Sequence, residues 1–236
     1  MKQLVIVIPV YNEIKNLDIL IGEWAHILPK NQFDFLFVND GSFDESRILI
    51  EKYQSIYSNI ILLNKENSGH GHTILKGYEY AIEKKYKYVF QIDSDNQFSK
   101  CDFNKFWDEK DSDYDLIIGN RKKRNDPYLR VFLSKIILRN LIRLIFFKNI
   151  KDPNIPYRLI KIKALKKYID NLKFIPLAPN LLMSIYIDDI KIVDVTHFKR
   201  KYGDISWPLK KLINFSIKII IELILYRKKI FENNEK

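Results

Sequence analysis

Val89-Phe90-Gln91-Ile92-Asp93-Ser94-Asp95-Asn96-Gln97 carries the chain from an apolar run straight into two carboxylates separated by a single serine. The first half is short, apolar and without a helical period, and reads as a buried strand. The acids then fall at or just past its carboxyl end, the edge at which open α/β sheets hold ligands. Two carboxylates there suit one hard divalent cation, and such a cation can hold a diphosphate. Asp, Ser and Asn are also common turn formers, so a plain polar turn accounts for the same residues. The surroundings decide between the two.

Upstream, Leu4-Val5-Ile6-Val7-Ile8 is another buried strand by type, ended by Pro9, with Val10-Tyr11-Asn12-Glu13 as a loop. From Asn16 onward Leu17, Leu20, Ile21, Trp24, Ile27 and Leu28 keep a helical period. Phe33 to Val38 is a second strand and runs into Asn39-Asp40-Gly41-Ser42, with Asp44 just beyond. Ile48, Leu49 and Ile56 indicate a helix, Ile60-Ile61-Leu62-Leu63 a third strand, and Asn67-Ser68-Gly69-His70-Gly71-His72 a loop. Ile74, Leu75, Tyr78, Ala81 and Ile82 then give the helix before the opening stretch. Strand and helix alternating through short connections predict an α/β fold, a mostly parallel sheet flanked by helices. The chain has only 7 glycines. Gly41, Gly69, Gly71 and Gly77 fall in or just after loops that follow strands, and Gly119 follows the strand Leu116-Ile117-Ile118. Helix packing is the better reason for Gly77.

Past Gly119 the character changes. Asn120-Arg121-Lys122-Lys123-Arg124 is basic, and Val131 to Phe147 reads as one long helix with Lys135, Arg139 and Arg143 along a face. Asp152-Pro153-Asn154-Ile155-Pro156-Tyr157-Arg158 reads as a rigid polar loop. Helices are expected over Leu165 to Ile169 and Leu181 to Ile187, with a strand at Ile190 to Val195 between them and the C-terminal part. Leu209 to Tyr226 is helical again, setting Lys210, Lys211 and Lys218 against an apolar face, and it closes in Arg227-Lys228-Lys229. Apolar helices with basic stripes suit the plane of an anionic membrane surface. Covering a sheet serves the first equally well, and a homodimer interface is the competing use of the second.

Bulk composition bounds these readings. At 236 residues, 47% hydrophobic and 29% charged, the chain is globular and long enough for a sizeable core. A single cysteine, Cys101, excludes an internal disulfide and any cysteine metal cluster, and fits a reducing compartment. The start, Met1-Lys2-Gln3-Leu4, does not read as a signal peptide. The longest uncharged stretch, residues 174–187, is interrupted by Pro176 and Pro179. A bilayer span needs about 17–25 apolar residues, so membrane contact is expected to be peripheral. The net charge of +11 draws phosphorylated ligands, anionic membranes or nucleic acid. A nucleic-acid-binding protein leaves Asp40, Asp93, Asp95 and Asp152 unexplained, and no specific nucleic acid is expected.

Four segments stand in order at successive strand ends: Ile8-Pro9-Val10-Tyr11-Asn12-Glu13, Val38-Asn39-Asp40-Gly41-Ser42 with Asp44, Asn67-Ser68-Gly69, and Asp93-Ser94-Asp95. Together they resemble the motifs of glycosyltransferase family 2. Asp95-Asn96-Gln97, Gly119-Asn120-Arg121, Arg130 with Ser134, Asp152-Pro153 to Arg158, and Arg200 through Gly203 to Ser206 resemble its dolichyl-phosphate mannosyltransferase and bacterial polyprenyl-phosphate glycosyltransferase branch. The likeness runs from Leu4 to about Trp207. It departs at Pro156-Tyr157-Arg158, where Gly-Phe-Arg is usual, and at Gly71-His72, where a Gly-Ala-type pair is common. It also departs in lacking the transmembrane helices that many branch members carry after the catalytic domain.

The resemblance implies a Rossmann-like GT-A fold over residues 1–206, with a nucleotide-sugar half (1–120), an acceptor half (121–206) and a basic amphipathic C-terminal helix and tail (207–236). It implies an inverting transfer from a UDP- or GDP-sugar to a polyprenyl phosphate, on the cytoplasmic face of the membrane. The alternative acceptor is a glycan hydroxyl, as in surface polysaccharide synthesis. Pro9, Tyr11, Glu13, Asp40, Asp93 and Gln97 are the implied nucleotide-sugar residues, with Asp93 and Asp95 holding Mg²⁺ or Mn²⁺. Arg121, Arg130, Ser134 and Arg200 are the implied clamp on the acceptor phosphate, to which the planar donor fork of arginine is suited. A phosphate nucleophile needs little base at neutral pH, its second pKa being about 6. A hydroxyl acceptor requires one, and Asp152 is the candidate.

Overall fold

The chain pairs its strands outward from the middle. In the computed structural model, which describes residues 2–25, 33–122, 138–203 and 209–234, β1 (Leu4–Val10) lies between β2 (Phe33–Asp40) and β4 (Tyr88–Gln91), parallel to both. Beyond β2 lies β3 (Ile60–Lys65), also parallel. On the other side follow β6 (Arg158–Lys161), β5 (Leu116–Arg121) and β7 (Ile190–Val195), giving the order β3-β2-β1-β4-β6-β5-β7. Only β6 runs against its neighbours, antiparallel to β4 and β5. Every residue of β1, β2 and β4 is buried, which is why these strands read as continuous apolar runs instead of alternating ones.

Helices α1 (Ile14–Ala25), α2 (Ser46–Ile56) and α3 (His70–Glu83) connect the first four strands. Leu17, Leu20, Ile21 and Trp24 of α1 are all buried, as their period requires. Trp24 joins Phe90, Phe103, Phe106 and Tyr157 in an aromatic cluster with ring centroids 4.9 to 6.5 Å apart. Phe103 joins a short 3-10 turn (Lys100–Asp102) to α4 (Asn104–Trp107), which carries Phe106. Gly77 of α3 lies so close to β1 that a Cβ there would collide with Val7 and press on Val38, so it is helix–sheet packing that requires glycine.

The sheet order places a topological switch beside β1. The chain moves from β1 outward to β2 and β3, then returns to β4 on the opposite flank. Connections diverge there, and a crevice opens at the carboxyl ends of β1 and β4. Tyr11, Glu13, Asp93 and Asp95 all follow those two ends.

Several elements differ from the sequence reading. Pro9 does not end β1, which continues to Val10 and stays in register with Val38 and Asn39 of β2. Val7 faces β4, since its carbonyl accepts from Ile92 N at 3.2 Å. Pro9 shares that orientation, but β4 has already ended at Gln91, so the missing N–H falls where no ladder bond was needed. The polar loop expected over Asp152 to Arg158 gives way at Arg158 to β6, a strand with no sequence expectation behind it: only Leu159 and Ile160 lie between its two basic ends. Of the long helix expected over Val131 to Phe147, the described part is α5 (Leu138–Phe146); residues 131–137, with Ser134, lie outside the described residues, as does Arg130. α6 (Ile162–Asp170) and α7 (Pro179–Tyr186) each start earlier than expected, α7 with proline in its first turn. α8 (Leu209–Asn234) extends further than the periodicity reached, and packs on α5 with Phe146 and Tyr226 at 6.3 Å.

Candidate active site at the carboxyl ends of β1, β2 and β4

The loops after β1 and β2 are stitched to each other, which explains the spacing of their polar residues. Asn12 stands at φ 55°, a conformation asparagine tolerates. Its N–H donates to Ser42 Oγ at 3.0 Å, and its side-chain oxygen accepts from Phe43 N at 3.0 Å. Glu13 N donates to Ser46 Oγ at 2.9 Å and Ile14 N to Asp44 Oδ2 at 3.2 Å. Asp44 in the loop after β2 and Ser46 at the start of α2 thus satisfy open N–H groups at the start of α1. Tyr11, half exposed, meets the edge of Phe43 at 5.9 Å.

Asp40 closes β2 and organises the third loop. Oδ1 accepts from Ser68 N at 2.9 Å and from Lys65 Nζ, and Oδ2 accepts from Gly69 N at 3.0 Å. Burial works against its charge, but Lys65 and the main-chain donors outweigh it and hold the carboxyl below its usual range. Gly41 (φ +67°) must be glycine, because a Cβ would sit 2.9 Å from Asn67 N.

Across the switch point, Asp93 Oδ1 accepts from Gln91 Nε2 at 3.2 Å and lies 3.6 Å from His70 Nε2. Asp95 Oδ1 accepts from Gln97 N at 3.3 Å. Burial, joined by the negative charges of Asp93 and Glu13 and opposed by Arg200, pushes the Asp95 carboxyl up to about 7. Gln97 ties this turn to the segment after β7: Nε2 donates to Phe198 O at 3.1 Å, and Phe198 N donates to Gln97 O at 2.7 Å.

That segment brings in Arg200. Its Nη2 pairs with Glu13 Oε1, its Nη1 stands 3.7 Å from Asp95 Oδ2, and its Nε donates to Tyr202 O at 2.7 Å. Gly203 (φ +84°) gives the close approach, since a Cβ there would meet Arg200 Nη2 at 2.8 Å. Arg200 was expected on an acceptor phosphate; here its guanidinium faces the acids of the nucleotide side. Arg121 and Asp152, expected in separate roles, bind each other through two parallel bonds of 2.7 and 2.8 Å.

The structure therefore brings Glu13, Asp93, Asp95 and Arg200 into one crevice, with Tyr11 and Asp40 on adjoining loops. Pro9 sits within β1, and Gln97 holds the turn. Among the described residues no group of three or more His, Cys, Asp or Glu is arranged to hold a metal. Asp93 and Asp95 are nevertheless a fitting oxygen-donor pair for a hard divalent cation, with phosphate oxygens and water completing the shell. Burial is the main reason the Asp95 carboxyl is raised, and the crowding by Asp93 and Glu13 that adds to it is what a bound cation would offset. Sequence reasoning missed His70 beside Asp93 and the buried partners of Gln91. A glutamine inside the apolar run Val89-Phe90-Gln91-Ile92 was the available signal for the latter.

Comparison with known proteins agrees with this geometry. The model of "Glycosyl transferase family 2" matches residues 5–171. An uncharacterised protein of Methanocaldococcus jannaschii is 31% identical over 172 residues, which cover 69% of this chain and 73% of that one. The undecaprenyl-phosphate 4-deoxy-4-formamido-L-arabinose transferase of Klebsiella pneumoniae is 28% identical over 227 residues, 93% of this chain and 67% of that one. Among solved structures, the glucosyl-3-phosphoglycerate synthase of Mycobacterium tuberculosis, in complex with Mn²⁺, UDP and glucosyl-3-phosphoglycerate, superposes with a TM-score of 0.69 at 15% identity over 96% of this chain and 80% of that one. S. aureus TarS bound to UDP-GlcNAc gives a TM-score of 0.63 at 20% identity over 95% of this chain and 67% of that one. The motifs at four strand ends, the switch-point crevice and the family match over most of the chain together show that this protein belongs to glycosyltransferase family 2, with the α/β GT-A architecture, and is a glycosyltransferase.

Proposed function

We propose that the enzyme moves a sugar from a UDP- or GDP-sugar to a polyprenyl phosphate at an anionic membrane surface, with inversion. One observation carries the lipid part. α8 exposes an apolar stripe, Ile213, Ile217, Ile221, Ile224 and Leu225, each about half exposed. Their spacing keeps them on one side of the helix, and the same rotation brings Lys210 and Lys228 to the two ends of that stripe. α5, packed beside it, exposes Leu144, and Phe147 just after its end is exposed as well. The only acid of α8 up to Lys228 is Glu222, half-buried and accepting from Leu177 N at 2.9 Å. An apolar stripe with a lysine at each end fits the boundary of an anionic bilayer. Among the described residues no helix is long and apolar enough to cross it. The relationship to an undecaprenyl-phosphate sugar transferase over nearly the whole chain supports the same acceptor.

In this reading Pro9, Tyr11, Glu13, Asp40 and Gln97 shape the donor site, and Asp93 with Asp95 would hold Mg²⁺ or Mn²⁺. When bound, the cation neutralises charge on the departing diphosphate. Arg200, which balances Glu13 and Asp95, would turn to an incoming phosphate, and Arg121, released from Asp152, is proposed to complete the acceptor clamp together with Arg130 and Ser134. Asp152, whose two oxygens both accept from Arg121, is poorly disposed as a base. That favours an acceptor already ionised, which a phosphate is. The test offers each donor, with Mn²⁺, to undecaprenyl phosphate in detergent and to soluble oligosaccharides in parallel. Product on the lipid alone supports the reading; product on the oligosaccharide alone replaces it with glycan extension.

A further inference from the structure

Arg158, at the start of β6, is completely buried. Nε and Nη2 donate to Ile155 O at 2.9 and 2.6 Å, Nη2 also to Pro153 O at 3.1 Å, and Nη1 to Asn180 O at 2.9 Å. These partners are neutral carbonyls, a costly setting for a guanidinium. They join the loop that carries Asp152 to the first turn of α7, and so fix the position of Asn180.

From Asn180 a chain of buried side chains leads back to the crevice. Tyr78 Oη donates to Asn180 Oδ1 at 2.9 Å, Asn180 Nδ2 to Gln91 Oε1 at 2.7 Å, and Gln91 Nε2 to Asp93 Oδ1 at 3.2 Å. Tyr78, Asn180 and Gln91 are at most 2% exposed. The polarity runs one way. Burial raises the Tyr78 pKa, so its hydroxyl keeps a proton to give. With the oxygen of each amide taken upstream, its nitrogen is turned downstream, and the last link is a donor aimed at a carboxylate.

We propose that Tyr78, Asn180 and Gln91, anchored by Arg158, are positioning residues that set the rotation of the Asp93 carboxylate in the donor site. The inference rests on the reading of Asp93 and Asp95 as the cation-holding pair. The last torsion of an aspartate is broad, so without a directed partner its oxygens sample many orientations. A ligating carboxylate has to be held far more narrowly, and partners one layer behind the ligands do this. This series ends on a side chain that is 25% exposed and faces the crevice.

The experiment measures Mn²⁺ binding by electron paramagnetic resonance, with UDP and separately with GDP, for the unaltered chain, Gln91→Met and the milder Tyr78→Phe. Tyr168→Phe is the control: its hydroxyl is as deeply buried and donates to Pro179 O at 2.9 Å, outside the series of side-chain hydrogen bonds from Tyr78 to Asp93. Mn²⁺ affinity is expected to fall about 10-fold in Gln91→Met and by less in Tyr78→Phe. Tyr168→Phe should melt earlier and bind Mn²⁺ unchanged. Unchanged affinity in both test variants, or an equal loss in the control, overturns the positioning role. If the unaltered chain takes up no Mn²⁺ with either nucleotide, the cation reading itself fails and the inference falls with it.

Discussion

Arg200 and Glu13, 187 positions apart in the chain, form an ion pair that closes the segment after β7 over the loop after β1. The same guanidinium stands 3.7 Å from Asp95. It is a protein-borne positive charge held beside the acids that would receive a divalent cation. Arg200→Ala should therefore have two opposite effects. Less Mn²⁺ should be needed for half-maximal activity, because a competing charge is gone, while the KM for polyprenyl phosphate should rise about 10-fold or more through loss of a charge-assisted contact. Titrating each in turn separates them; a rise in both, or no change in the lipid KM, contradicts the placement.

Asp40 should matter to stability before it matters to chemistry. Against the effect of burial, Lys65 and the main-chain donors around it hold its carboxyl below the usual aspartate range. A carboxyl depressed in the folded state contributes stability in full above the unfolded pKa, and loses it as pH falls through the folded value. Asp40→Asn should cost about 1–3 kcal/mol at pH 7, where Lys65 and the Ser68 and Gly69 amides lose a charged acceptor. It should cost less below pH 4. Denaturant midpoints at pH 7 and pH 3 check this; an equal cost at both contradicts it.

Gly77→Ala tests the packing of α3 on the sheet. The added methyl meets Val7, and overpacking of this kind costs about 1–3 kcal/mol. Val7→Ala in the same chain makes room and should recover part of the loss. A double variant as unstable as the sum of the two singles would show that the contact is not the cause.

The stripe on α8 predicts selective loss of membrane binding. Ile217→Glu with Ile221→Glu should abolish flotation with vesicles rich in anionic lipid and leave the melting temperature within about 2–4 °C, since both residues face solvent. Lys210→Glu with Lys228→Glu should weaken binding most at low salt, as screening predicts. Vesicle binding unaffected by all four changes contradicts the assignment of this face.

How much of this was legible in the sequence follows from the range over which each feature is determined. β1, β2 and β4 are buried on both faces, so local composition alone marks them. The acids at their ends could be placed because strand ends and ligand sites coincide in this class of sheet. β6 carries no comparable mark: Arg158-Leu159-Ile160-Lys161 has just two apolar residues, and the acceptor that ties its arginine to α7, Asn180 O, is brought in by the tertiary fold. Pro9 misled because its tolerance depends on where a neighbouring strand stops. The Arg121–Asp152 pair and the link from Tyr78 to Asn180, 102 positions apart, have no local signature at all. Residues in the crevice, and the loop residues Ser42, Asp44 and Gln97 that help hold them, were found by motif, while Tyr78 and Asn180 behind Asp93 were not.

The most direct test of the account is transfer of labelled sugar into the organic phase, with undecaprenyl phosphate and Mn²⁺, for the unaltered chain and for Asp95→Asn. The account predicts metal-dependent label in the lipid fraction, reduced at least about 100-fold in Asp95→Asn, a change in which one interaction with developing charge is lost. It also predicts an Asp95→Asn chain that is folded and no less stable, because a buried carboxylate crowded by Asp93 has been neutralised. Lipid-linked product made equally well by Asp95→Asn, or without any divalent cation, would contradict the claim that the crevice beside β1 and β4 is where the donor is used.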